Sequence, residues 1–167
     1  MSGRAVSGRA VSGKAVERRF PMAVSVIEHE ATTTASPAAV FALLADGSTW
    51  PRWSPIGSFE LLEPGDAMPE GVGAVRMFHT GRVHSKERVV TAKPNETFAY
   101  ELVSGLAVRE YRAVVTLSPG ESGTTIRWRS TFRAKVPGTG WLYRRQLGRF
   151  IGQTVEGLAQ GAGSVLG

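Results

Sequence analysis

An α+β domain is predicted, with a curved seven-stranded antiparallel sheet set against one long C-terminal helix and two short helices after the first strand. Three observations carry this. Six strand-like runs follow one another between Ser58 and Lys135 with turn residues but no helical run between them, which implies an antiparallel meander. One alternating run, Val24–Thr33, precedes them. After Trp141 the spacing changes, and Leu147, Ile151, Val155, Leu158 and Ala162 recur every three or four residues, the period of a helix.

The elements follow in order. Val24–Thr33 sets Val24 and Val26 against Ser25 and Ile27, a first strand with mixed faces. Ser36-Pro37 marks a helix start, with serine as N-cap and proline at the first helical position. Val40, Phe41, Leu43 and Leu44 supply its apolar stripe, which ends near Asp46-Gly47. Ser48–Trp53 is a second short helix or turn, broken by Pro51 and stopped by Pro55. The later strands are Ser58–Glu63, Ala74–Thr80, Arg82–Ala92, Thr97–Val103, Val108–Leu117 and Thr124–Lys135. Glycine, proline, asparagine and serine punctuate them, with a tight turn at Gly81. Gly148, Gly152, Gly157, Gly161 and Gly163 interrupt the last helix. Each costs up to about 1 kcal/mol in an isolated helix, so this helix is expected to persist by packing closely on a neighbour.

Composition narrows the functional classes. The 167 residues are 42% hydrophobic and 20% charged, the usage of an ordinary globular domain. There is no cysteine, which excludes disulfides, cysteine-based zinc sites and thiol catalysis. His29, His79 and His84 are not spaced as a three-histidine metal site, so no metal and no cofactor is expected. No GxSxG, HExxH, Walker or GxGxxG motif is present. No apolar run approaches the ~18 residues of a membrane span.

The net charge of +6 is unevenly placed. Arg4, Arg9, Lys14, Arg18 and Arg19 face only Glu17 within residues 1–22. Ser2–Val6, Ser7–Val11 and Ser12–Val16 are near-identical repeats, too short in period for a helical solenoid. Residues 1–22 are therefore expected to be a disordered basic tail, with Met22 as a candidate natural start, and residues 23–167 the domain. The alternative is an electrostatic tether to anionic lipid or nucleic acid. The tail lacks the ~7–15-residue apolar run of a secretory signal, so a cytoplasmic location is expected.

Strand alternation assigns faces. Phe98, Tyr100 and Leu102 share one face, as do Tyr111, Ala113, Val115 and Leu117, and Ile126, Trp128, Ser130 and Phe132. Arg127, Arg129, Thr131 and Arg133 form the opposite, solvent-facing set. Val83, Ser85, Glu87 and Val89 go inward together. For Ala74–Thr80 the apolar pair Val75 and Met77 favours an inward set that includes His79, with Arg76 and Phe78 outward. One helix does not fill the hollow of so large a curved sheet, so a cavity between them is expected. The other reading is a filled core of packed aromatics.

The chain resembles the START-like superfamily, also called the SRPBCC or helix-grip family, in its polyketide cyclase/dehydrase and lipid transport branch. The resemblance spans about residues 23–160. It rests on Ser36-Pro37-Ala38-Ala39-Val40-Phe41, Trp50-Pro51-Arg52-Trp53-Ser54-Pro55 and Gly71-Val72-Gly73. Glu87-Arg88-Val89-Val90, Phe98-Ala99-Tyr100-Glu101-Leu102 and Gly123-Thr124-Thr125-Ile126-Arg127-Trp128 complete it. It implies the helix-grip fold and a ligand space, but no universal catalytic motif, so no catalytic residue is carried over.

The expected function is binding, or transport, of a small hydrophobic ligand such as a lipid or polyketide. Trp53, Met77, Phe98, Tyr100, Tyr111, Trp128, Phe132 and Ile151 are the candidate lining, with Trp53 either a plug or a ligand contact. One alternative is a metal-free cyclase or dehydratase in which Glu87, His79 or Tyr100 moves protons. Another is a non-catalytic regulatory or stress-related module with a filled interior. Arg133, Lys135, Arg144, Arg145 and Arg149 form a basic flank. It is either solvated or suited to transient contact with an anionic membrane surface. No aromatics interleave with it as a stacking platform, so nucleic-acid binding is weakly supported.

Overall fold

The computed structural model describes residues 22–164. The repeat tail expected at the N-terminus, apart from Met22, lies outside the described residues. Strand β1 (Ser25–Thr33) is followed by helix α1 (Pro37–Ala45), a short 3-10 turn (Gly47–Thr49) and helix α2 (Trp50–Trp53). Strands β2 (Ser58–Glu63), β3 (Val75–Thr80), β4 (Val83–Lys93), β5 (Thr97–Ser104), β6 (Val108–Gly120) and β7 (Gly123–Ala134) come next, then helix α3 (Gly140–Ser164).

The seven strands form one antiparallel sheet in the order β1-β7-β6-β5-β4-β3-β2. Six are a simple meander, and β1 closes the far edge by pairing with β7, from Ser25 opposite Phe132 to Thr33 opposite Thr124. β6 bulges between Arg109 and Arg112, where Glu110 takes φ 52. A bulge bends its strand and adds twist, which helps the sheet curl around α3. Among the described residues, no helix is long and apolar enough to cross a membrane.

Local chemistry sets the helices. Ser36 Oγ accepts from the Ala39 N–H at 3.3 Å and Pro37 opens α1, which satisfies one of the helix's unpaired donors. Asp46 caps the following turn through Ser48 N–H at 3.0 Å. The glycines of α3 act as the close-packing reading required. A Cβ on Gly157 would stand 1.7 Å from the Trp53 carbonyl oxygen, and one on Gly161 would meet the Trp53 side chain at 3.0 Å. On another side of the helix a Cβ on Gly152 would approach His29 at 3.1 Å. Bare backbone therefore lets α3 rest directly on α2 and β1.

The core is aromatic at the α1–α2 side of the hollow. Trp50 stacks on Phe78 at 4.9 Å and meets Trp53 at 5.0 Å and Trp128 edge-on at 5.8 Å. Phe41 meets Phe98 edge-on at 6.2 Å. Such pairs add about 0.5–1.5 kcal/mol each beyond burial.

Strand β3 corrects the face assigned from the sequence. Arg76 and Phe78 point into the core, and Met77 and His79 lie on the other face, where His79 packs against His84 at 4.3 Å. The assignment failed because the two apolar residues Val75 and Met77 stood against Phe78 alone on the face that also carries Arg76. Here Arg76 is fully buried, with Nη1 donating to the Leu44 carbonyl at 3.3 Å and to Glu70 Oε2 at 3.4 Å. Its guanidinium carbon lies 5.0 Å from the Trp50 ring, 5.0 Å from Phe78, 4.9 Å from Phe98 and 5.9 Å from Tyr100. Cation–π attraction in a dry site offsets part of the cost of desolvating the charge.

Candidate functional site

Beyond the aromatic core the hollow stays open. A cavity of about 220 Å³ lies between α3 and the concave face of the sheet. The sheet supplies Thr80, Val83, Ser85, Glu87, Tyr100, Tyr111 and Trp128; α3 supplies Gln146, Leu147, Phe150, Ile151 and Thr154. Trp50, Ile56 and Leu106 complete it. Its exposed lining residues, Val83 and Gln146, place the mouth beside the β3–β4 turn and the first turns of α3. A larger groove of about 770 Å³, lined by Met22, Pro137, Trp141 and Arg144 among others, is an open surface feature rather than an enclosed space.

The sequence candidates divide. Tyr100, Tyr111, Trp128, Ile151 and Glu87 stand in the cavity wall. Phe98 and Phe132 are buried outside that wall, and Trp53 packs under α3 as a plug. Strict alternation placed Phe98 and Phe132 on the concave side correctly, but α1 and α3 cover those parts of the sheet. Met77 and His79 stand away from the cavity for the reason given above, so His79 does not meet Glu87. Two wall residues on α3 were not among the lining candidates: Leu147, read only as part of the helix's apolar stripe, and Phe150. Arg76, which stands behind the wall, carried no signal as a core residue, because a lone arginine in a strand reads as surface.

The polar groups of the wall have distinct states. Tyr111 Oη and Ser130 Oγ share a hydrogen bond of 3.1 Å. Burial pushes the Tyr111 phenol up to about 12. Burial, then the proximity of Tyr111 and Glu87, raises Tyr100 well above its ordinary value, so both hydroxyls stay protonated and able to donate. Glu87, only 8% exposed, is pushed up to about 7 by desolvation, against the opposing pull of Arg76. The Arg76 Nη2 to Glu87 Oε2 distance is 3.9 Å, too long for a hydrogen bond. Glu70, the nearer carboxylate, is also raised by burial, while the Gly47 N–H at 2.8 Å and then Arg76 act against this.

Two buried polar atoms of the wall have no hydrogen-bond partner among the described residues, Glu87 Oε2 and Trp128 Nε1. The contrast among the tryptophans is direct. Trp50 Nε1 donates to the Leu44 carbonyl at 3.1 Å and Trp53 Nε1 to Thr49 Oγ1 at 3.0 Å. Leaving a buried donor unpaired costs about 1–3 kcal/mol. Both atoms are closed off in this conformation, so a guest pairs with the indole N–H or with this carboxylate oxygen only when the side chains around them shift. Among the described residues no cluster of three or more His, Asp or Glu could hold a metal ion.

Comparison with solved structures places the fold. A START superfamily protein from Mycobacterium smegmatis superposes with a TM-score of 0.72 at 14% identity, covering 84% of this chain and 98% of that one. The di-domain ARO/CYC StfQ from the steffimycin biosynthetic pathway gives 0.71 at 14% identity, over 86% of this chain and 52% of that one. Norcoclaurine synthase from Thalictrum flavum gives 0.68 at 13% identity, over 87% and 98%. At such identities the likeness speaks for the fold alone. No protein of curated function matches. The family model described as polyketide cyclase/dehydrase and lipid transport matches residues 25–163. With nearly the whole described fold inside that match, the chain belongs to the polyketide cyclase/dehydrase and lipid transport family.

Proposed function

We propose that the chain binds a small, mostly apolar molecule with one polar end in the cavity between α3 and the sheet. The observation that carries this reading is the cavity of about 220 Å³ whose apolar wall of Trp50, Ile56, Leu147, Phe150 and Ile151 also holds Glu87, Tyr100 and Tyr111. Apolar burial supplies the affinity, at about 25 cal/mol per Å², and these polar side chains fix the orientation. Size narrows the guest. At about 220 Å³ the cavity is below the roughly 300–1,000 Å³ of sites that enclose drug-sized molecules. A one- or two-ring ketone or phenol suits it better than a long acyl chain.

Native mass spectrometry of freshly purified protein tests this, followed by thermal-shift titration with bicyclic aromatic ketones. The expected result is a co-purified small molecule or a saturable rise in melting temperature that Trp128→Phe weakens. A bare-chain mass together with no shift from any such ketone would remove the reading.

A second reading is favoured by the state of Glu87. A carboxyl pushed up to about 7 can both donate and accept a proton near neutral pH, and Tyr100 and Tyr111 stand in the same wall. The site would then act as an acid–base catalyst on a bound carbonyl compound, as in a cyclase or dehydratase. Glu87→Gln separates the two readings. A binder keeps its ligand affinity within about threefold and shows no turnover in either form; a catalyst keeps binding and loses turnover by the ~10²–10⁴-fold typical of a proton-transfer group.

A further inference from the structure

The mouth of the cavity shares one end of the molecule with an exposed apolar and basic rim. The topology brings together the β3–β4 turn, the β5–β6 turn, the end of β7, the start of β1 and the start of α3. Trp141 is 67% exposed there and Val136 55%, with Leu142 and Val83 also open to solvent. Arg82, Arg109, Lys135, Arg144 and Arg145 are exposed around them. The carboxylate on this rim, Glu110, is held by Arg133 at 2.7 Å. Met22 and Ala23, the first of the described residues, also border this end. Lys135 Nζ donates to the Leu106 carbonyl at 3.3 Å, so the basic rim reaches the cavity wall itself.

The opposite end has the other sign. It exposes Leu62, Met68 and Val72, but among Glu63, Asp66, Glu96 and Glu121, with Lys93 beside them. An apolar patch alone would not choose between the ends; the charge does.

We propose that this rim is a docking surface for an anionic lipid bilayer, with Trp141 and Leu142 entering the headgroup layer and the arginines and lysines held at the lipid phosphates. Tryptophan suits that layer because its ring is apolar and its N–H is polar. Basic side chains near an anionic surface each contribute a separate electrostatic increment. Two weak signals, apolar insertion and charge, together give stable but reversible attachment. Docking in this orientation turns the cavity mouth toward the lipid. The proposal goes beyond ligand binding in the cavity and stands whether or not the guest is identified.

The test uses the full chain with vesicles of phosphatidylcholine alone and of phosphatidylcholine with about one-third phosphatidylglycerol, at about 0.15 M salt. Trp50, Trp53 and Trp128 are buried and Trp141 is exposed, so a blue shift of emission reports Trp141 entering an apolar layer. The expected result is co-sedimentation and a blue shift with the anionic vesicles only. Trp141→Ala abolishes the shift and weakens partition at least fivefold, and Arg144→Glu with Arg145→Glu weakens it at least tenfold. These side chains are exposed, so each variant keeps its melting temperature, and its circular dichroism spectrum confirms the fold. Sedimentation without a blue shift, equal binding to both vesicles, or no binding would overturn the proposal. So would tighter binding to a single-stranded oligonucleotide than to the anionic vesicles, which would assign the rim to nucleic acid.

Discussion

Arg76 and Glu87 face each other across the β3–β4 pair, and their environments pull in opposite directions. Arg76 keeps its charge against Glu70, the Leu44 carbonyl and four aromatic faces, so Arg76→Ala should cost about 3–5 kcal/mol in urea unfolding, the usual loss when one partner of a buried ion pair is removed. Glu87 is pushed from 4.5 up to about 7, which means that the fold favours its neutral form. Its contribution to stability is therefore complete below about pH 4.5 and is lost as the pH rises through 7. Glu87→Gln should remove that part of the decline. Relative to wild type the variant gains stability progressively over that interval, by something on the order of 3 kcal/mol, and the difference then levels off. Unfolding curves at pH 4 and pH 8 that differ by the same amount in both proteins would contradict the assignment. The same pair marks the limit of sequence reading at this scale. Alternation placed Glu87 inward on β4 from its apolar neighbours, yet on β3 the pair Val75 and Met77 outweighed Phe78 in the choice of face. A charge whose counter-groups come from Glu70 and Leu44, in other parts of the chain, leaves no trace in the local pattern.

Helix α3 shows how glycine can stabilise one contact and weaken the element that makes it. At Gly157 the Trp53 carbonyl lies where a methyl group would go, so Gly157→Ala forces the helix off α2 and should cost about 1–3 kcal/mol, as overpacking does. At Gly148 nothing lies within 4 Å of the added carbon. There Gly148→Ala should raise stability by about 0.5–1 kcal/mol through helix propensity alone. Thermal melts of the two variants should move in opposite directions, and a loss at both positions would refute the packing account. The existence of α3, its start near Trp141 and its need for a close neighbour were legible from spacing and glycine content. The identity of the neighbour was not, since no rule of periodicity says which of five glycines meets a backbone carbonyl.

At the scale of the molecule the strand count, the meander and the two short helices followed from uninterrupted strand signals between Ser58 and Lys135 and from the Ser36-Pro37 cap. The division of the hollow into an aromatic core and an open cavity did not. Trp128 and Phe132 have the same period and the same face, and only the path of α3 above them decides which one borders free space. A guest present at about a hundred times its dissociation constant should add roughly 2.7 kcal/mol to stability, a rise of about 5–11 °C at the ~2–4 °C per kcal/mol of a domain of this size. Trp128→Phe should shrink that rise, and Met77→Ala, on the outer face, should leave it unchanged; a loss of the rise in Met77→Ala would place the guest elsewhere. The pairing of β1 with β7 has a consequence in time. The first strand of the sheet to be synthesised must wait for the last before its edge is satisfied, so during synthesis the β1–β7 pair forms only after β7 has been made. Truncating buried Ile27 to alanine should accordingly hasten unfolding while leaving the refolding rate almost unaltered, and until that late closure the nascent chain carries an unpaired β7 edge that a second copy could occupy.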